Sequence, residues 1–248
     1  MTSEHTDLTA ITDDAPVRRF GEEVLMDYVT GTLDEATALM VAAHLDLCPA
    51  SRGIVDMMTE VGGTVLADAQ PVALGAGALE SVLAMLDDTP QETGAQVHDP
   101  DLALLPAEVR DRAQAQLAGN AKWSFVTPGV RALDLGFARP VAADGASVGE
   151  VKLYRIEPGK GVPTHTHKGQ EVTLVLTGAF ADGHDRYGPG DISVASPDVT
   201  HRPVAEKDAV CFALAITDAP LQLTGALGLV QRALSVSGGA GGTGGAAH

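Results

Sequence analysis

Residues 159–178 read GKGVPTHTHKGQEVTLVLTG, and this stretch decides the fold. Its second half, Val172-Thr173-Leu174-Val175-Leu176, is aliphatic and β-branched, which predicts a strand. His165 and His167 stand at i and i+2, so on a strand they point to one side. Glu171 lies at an even offset from both. One continuous strand puts all three on one face, and a short turn at Lys168-Gly169-Gln170 is compatible with the same result. Pro189-Gly190-Asp191 supplies a later turn, after which His201 is available from a neighbouring strand. Imidazoles and a carboxylate are the donors that zinc, iron and manganese accept. The expected ligands are therefore His165, His167, Glu171 and His201 around one divalent metal, zinc first, with iron and manganese as alternatives.

Further short β-rich runs flank this stretch: Val151-Lys152-Leu153-Tyr154, Ile192-Ser193-Val194 and Val210 to Ile216. Short strands at regular spacing with Gly and Pro turns predict a sandwich or barrel. The Gly159, His165, His167, Glu171 and Gly178 spacing resembles the first motif of the cupin superfamily. The second motif is looser, with Asp198 where a Gly is common. The resemblance covers roughly residues 122–235 and implies a small antiparallel β-barrel with the metal inside. Cys211 falls in an apolar strand and reads as a core residue.

Upstream the periodicity is helical. Phe20, Val24, Leu25 and Tyr28 share one helix face. Thr32 and Glu35 have the spacing of a capping box for a second helix, which should stop near Cys48-Pro49. A third helix is expected from Ser51 to about Glu60, with Gly62-Gly63 behind it. In a fourth, over 77–87, Leu79, Val82, Leu83 and Leu86 form one apolar stripe. These are candidates for a partner interface, the alternative being packing within their own domain. The reading is α+β with two domains. It comprises a flexible segment 1–19, a small helical bundle 20–90, a linker with a short helix 91–121, the barrel 122–235 and a Gly/Ala-rich tail 236–248.

Composition narrows the function. The 248 residues carry 16 Lys plus Arg against 33 Asp plus Glu, a net charge of −17. Such a chain is repelled by nucleic acid and anionic lipid and suits a basic protein partner. Aromatics are only 4%, which argues against a stacking surface for single strands. Apolar content of 45% is enough for two modest cores. Two distant cysteines and an N-terminus without signal-peptide character point to a reducing cytoplasm, and no stretch reads as a membrane span.

His44 and Cys48 are i and i+4 on one helix face, half of a metal site. Asp27-Tyr28-Val29-Thr30-Gly31-Thr32-Leu33 with Ala42-Ala43-His44-Leu45-Asp46-Leu47-Cys48-Pro49 resembles the zinc anti-sigma domain. With a cupin behind it, the chain resembles ChrR-type anti-sigma factors over about residues 20–235. The runs Glu171 to Phe180 and Asp185 to Ile192 support this. That family's motif is His-x3-Cys-x2-Cys, and a further His precedes the Tyr of the first helix by about nine residues. Here Ser51 and Arg19 occupy those places. The helical domain is therefore expected to hold zinc weakly or not at all, since closed zinc sites use four ligands.

The resemblance implies an anti-sigma factor. Its helical domain would sequester an extracytoplasmic-function sigma factor. Its metal-binding cupin would sense singlet oxygen or organic peroxide. The alternative is a dioxygenase-like cupin metalloenzyme with a helical docking or dimerisation domain. A third reading keeps the helical domain as a relic that binds another partner.

Overall fold

The computed structural model describes residues 11–12, 18–87, 99–137, 149–166, 169–218 and 222–223. His167, the 89–94 stretch and the 236–248 tail lie outside the described residues. Two short strands, β1 (Ile11–Thr12) and β2 (Arg19–Phe20), pair antiparallel. Four helices follow: α1 (Glu22–Thr30), α2 (Glu35–Leu47), α3 (Pro49–Ala67) and α4 (Ala78–Asp87). A 3-10 turn at Pro100–Leu104 leads into α5 (Ala107–Ala118).

Eleven strands follow among the described residues. They are β3 (Ser124–Thr127), β4 (Val130–Asp134), β5 (Glu150–Ile156), β6 (His165–Thr166) and β7 (Glu171–Thr177), then β8 (Phe180–Ala181), β9 (Arg186–Tyr187), β10 (Ile192–Ala195), β11 (Val204–Ala205), β12 (Cys211–Thr217) and β13 (Gln222–Leu223). The main sheet has the order β10-β7-β12-β5-β4-β3, every pair antiparallel. A second sheet, β11-β8-β9, packs Phe180, Tyr187 and Ala205 against it, and β13 pairs with β6. Bridges from Gly161 to Val204 and from His165 to His201 tie β6 and its approach to the later strands. The fold is α+β, with an N-terminal helical part and a C-terminal cupin-type antiparallel barrel.

Two apolar clusters form, and the main sheet divides them. On one face, Leu153 of β5, Val172, Leu174 and Leu176 of β7, and Phe212, Leu214 and Ile216 of β12 join Leu25 of α1 and Met40 and Val41 of α2. On the other face, inside the barrel, Ile156, Val175 and Cys211 meet Val162, Phe180 and Tyr187. The period-2 alternation of each strand produces this division. All seven residues of β12 are buried because both its faces are covered. The helices therefore rest on the barrel's outer face as well as on one another. The stretch expected to be a linker contributes too: Leu102, Leu105, Val109 and Ala113 enter the same cluster.

Two local expectations are corrected. The cap of α2 is Asp34, whose Oδ1 accepts from the backbone N–H of Ala36 and Thr37, and not the Thr32–Glu35 box. Asp34 directly precedes the helix. Thr32 instead folds back, its hydroxyl donating to the Asp27 carbonyl, where Gly31 at φ 70° ends α1. The second correction concerns α3, which runs through Gly62-Gly63 to Ala67. Glycine in a helix interior costs about 1 kcal/mol relative to Ala but does not remove a hydrogen bond, and the first Pro after the pair, Pro71, lies beyond the helix end.

Candidate metal centre

The short β6 carries His165, and Glu171 opens β7 after an intervening turn, so the ligands do not share one strand. His201 faces His165 across a backbone bridge in which each N–H donates to the other's carbonyl, at 3.2 and 3.3 Å. The pairing places both rings on the same side of the ladder. One donor atom each from His165, Glu171 and His201 lies within 4.8 Å of the others, and all three residues are buried. His201 Nε2 is 3.0 Å from His165 Nε2 and 4.0 Å from Glu171 Oε1.

The tautomers follow from the partners. His165 Nδ1 donates to the Pro163 carbonyl at 2.7 Å, which leaves a lone pair on Nε2. His201 Nδ1 lies 3.9 Å from Asp182 Oδ2, and a carboxylate on that side favours the proton there. His201 Nε2 then also presents a lone pair. Two such lone pairs 3.0 Å apart repel each other, and a cation between them converts the repulsion to attraction. Donors bound at about 2.0–2.2 Å around one ion sit roughly 3 Å apart, so this donor set fits a divalent metal.

Charge burial agrees. Burial pushes the Glu171 carboxyl up to about 7. It holds His201 down at about 4, with neighbouring His165 adding to the effect, and lowers His165 as well. Burial pushes each group toward its neutral form, and the two imidazoles are in the state that ligates metal. Tyr154, Ile156, Val162, Phe180 and Ala213 wall the cavity, whose free volume is about 30 Å³. A water needs roughly 10–15 Å³ of such volume, so there is room for an ion with one or two small ligands.

The helical half-site is arranged differently. His44 is fully buried, and its Nδ1 donates to the carbonyl of Gly190 at 3.0 Å. Its Nε2 is 2.8 Å from Ser51 Oγ, and Ser51 Oγ is 3.4 Å from Cys48 Sγ. Because His44 spends its one proton on Gly190, the Ser51 hydroxyl must donate to Nε2, and the Cys48 thiol is left to donate to Ser51. Burial lowers His44 to about 4, and the Arg19 charge adds to that. Three of the four family positions, His44, Cys48 and Ser51, are thus joined by hydrogen bonds where the motif has metal bonds, and the Arg19 charge acts on His44.

Leu79, Val82, Leu83 and Leu86 of α4 are 51–65% exposed, so they do not pack inside their own domain. Met57, Val61, Val65 and Leu66 extend this apolar exposure along α3. Sequence reasoning passed over Asp182, Tyr154 and Arg18. Asp182-Gly183-His184-Asp185 carries a turn signature that was readable, but its position beside His201 was not.

A helical domain packed on a barrel that gathers His165, Glu171 and His201 defines a cupin protein with an N-terminal helical module. The family profile described as the ChrR cupin-like domain matches residues 115–219. The chain is 40% identical over 202 residues to the anti-sigma-E factor ChrR of Cereibacter sphaeroides, covering 81% of this chain and 89% of that protein. The crystal structure of Rhodobacter sphaeroides SigE in complex with the anti-sigma ChrR is similar at 36% identity and a TM-score of 0.59, covering 81% of this chain and 98% of that one. The chain belongs to the ChrR family of anti-sigma factors. No single helix among the described residues is long and apolar enough to cross a membrane.

Proposed function

We propose that the helical domain sequesters an extracytoplasmic-function sigma factor and that the cupin, with one divalent metal on His165, Glu171 and His201, senses oxidative stress for it. The proposed metal is zinc. His167 is proposed as the fourth ligand on its spacing alone. The observation that carries the reading is the exposed apolar face of α4 in a chain 40% identical to an anti-sigma factor. Monomeric proteins rarely leave such a face uncovered unless it docks a partner. The charge of −17 favours encounter with a basic, DNA-binding protein and disfavours nucleic acid itself. Cytoplasmic placement follows from such a partner.

The enzymatic reading gains nothing from the cavity, because about 30 Å³ does not admit an organic substrate. Calorimetric titration of the full chain against extracytoplasmic-function sigma factors of its own cell tests the proposal. A tight complex with one of them, formed by the metal-loaded full chain, is the expected result. Failure to bind any of them overturns it.

A further inference from the structure

Asp182, just past β8, is 8% exposed and meets three parts of the molecule. Its Oδ2 faces His201 Nδ1 at 3.9 Å. Its Oδ1 accepts from the backbone N–H of both His184 and Asp185, at 2.9 Å each. Its backbone carbonyl accepts from Arg202 N–H, next to His201. The carboxylate therefore caps the turn between β8 and β9 while facing a metal-side ring.

Asp185 in that turn holds Arg18, with Nη2 to Oδ2 at 2.8 Å. Arg18 is fixed three further ways. Its backbone N–H donates to Asp191 Oδ1 at 2.9 Å, its carbonyl accepts from Ile192 N–H at 3.2 Å, and its guanidinium lies 4.8 Å from the centre of the Tyr187 ring. Two residues later Phe20 is buried edge-on against His44, 5.2 Å between ring centres, and α1 begins at Glu22. A chain of neighbours thus runs from a candidate metal ligand to the root of the helical domain, with one longer step of 3.9 Å between His201 and Asp182.

We infer that Asp182 is a positioning residue that sets His201 for metal and passes metal occupancy through Asp185 to Arg18, where the helical domain is strapped to the barrel. This rests on the metal and sigma readings above and names the route by which they communicate. Metal on His201 Nε2 strengthens the Nδ1–H toward Asp182, because a coordinated imidazole is a stronger donor. A firmer Asp182 steadies the turn it caps, and with it Asp185 and the Arg18 strap. Both ends then bias one element, the physical requirement for coupling between sites.

The test uses the full chain and Zn²⁺ as probe. Affinity is read by competition with a chromophoric chelator, and amide hydrogen exchange is read over residues 18–25. In the wild type, Zn²⁺ should slow exchange there several-fold. Asp182→Asn should weaken Zn²⁺ binding by roughly 10–100-fold, the usual cost of losing an outer-shell carboxylate. Asp185→Asn and Arg18→Gln should keep Zn²⁺ affinity within about threefold yet lose the exchange response. These two side chains are 50% and 27% exposed, so they carry the test if Asp182→Asn folds poorly. Wild-type affinity in Asp182→Asn, unchanged exchange in the zinc-loaded wild type, or a preserved response in Asp185→Asn overturns the inference. Sigma affinity, measured separately on the wild type, reports on the sigma reading alone.

Discussion

His44 in α2 donates its Nδ1 proton to the carbonyl of Gly190, 146 residues away in the turn before β10. The bond crosses from the helical part to the barrel at a point where Gly190 has φ 88° and a Cβ would meet Leu47 at 3.4 Å. A glycine is favoured there by its left-handed conformation. Gly190→Ala should therefore lower stability by about 1–2 kcal/mol, the cost of a left-handed backbone with a side chain. Denaturant melts of the two proteins measure it.

Neutrality of His44 gives a pH dependence. Its folded value is about 4 against 6.5 unfolded, so between these values the unfolded chain binds more protons. The contribution is fully present above about 6.5, is lost progressively as pH falls to about 4, and is constant below. The loss is on the order of 3 kcal/mol. His165 and His201 act in the same direction in metal-free protein. The discriminating measurement is thus the difference in unfolding free energy between wild type and His44→Gln from pH 7 to 4. It should shrink as pH falls, and a difference independent of pH would contradict a neutral buried imidazole.

The Cys48–Ser51–His44 chain satisfies its members without metal. One metal per intact chain is the expectation, located in the barrel. Elemental analysis should give about one for the wild type and for Cys48→Ala, and none for His165→Ala. Restoring the family motif with Ser51→Cys and Arg19→His supplies four N/S donors and should add a second zinc. Loss of metal in Cys48→Ala would move the site to the helical half.

Much of this was legible in the sequence. The strands around Leu153, Leu174 and Leu214 were plain from alternation, and the helices around Leu25 and Leu83 from a period near 3.6. His165 and Glu171 were legible as donors from their residue types and closeness in sequence, but not from even spacing, because a turn separates β6 from β7. The cap at Asp34 was missed because Thr32 and Glu35 also have capping spacing, and only the backbone path chooses between them. Arg18 and Asp182 were missed because their roles depend on partners far along the chain. The shared core was invisible for the same reason: an apolar strand buried on both faces does not say what covers the second face.

That shared core predicts cooperative unfolding. Leu174 of β7 is fully buried and lies in the cluster that also takes in α1, α2 and α5. Leu174→Ala should cost roughly 2–5 kcal/mol. Tertiary signals from Trp123, which packs 6.4 Å from Phe212, and helical circular dichroism should move together in one transition. Two separated transitions would mean that the helices and the sheet hold their folds independently.

The exposed face of α4 separates binding from stability. Leu83 is 51% exposed and Leu86 65%, so neither contributes much to folding. Leu83→Asp should shift unfolding free energy by no more than about 0.5 kcal/mol. If the face is the centre of a sigma interface, the same change buries an unpaired carboxylate against apolar surface. The cost is then roughly 2 kcal/mol or more, a loss of about 30-fold in affinity. A surface change at Glu60 on α3 serves as the control, since rim charges alter encounter rate and salt dependence more than complex lifetime. Dissociation rates of the sigma complex should therefore rise in Leu83→Asp and stay near wild type in Glu60→Gln. Equal lifetimes for all three proteins would place the interface elsewhere on the helical domain.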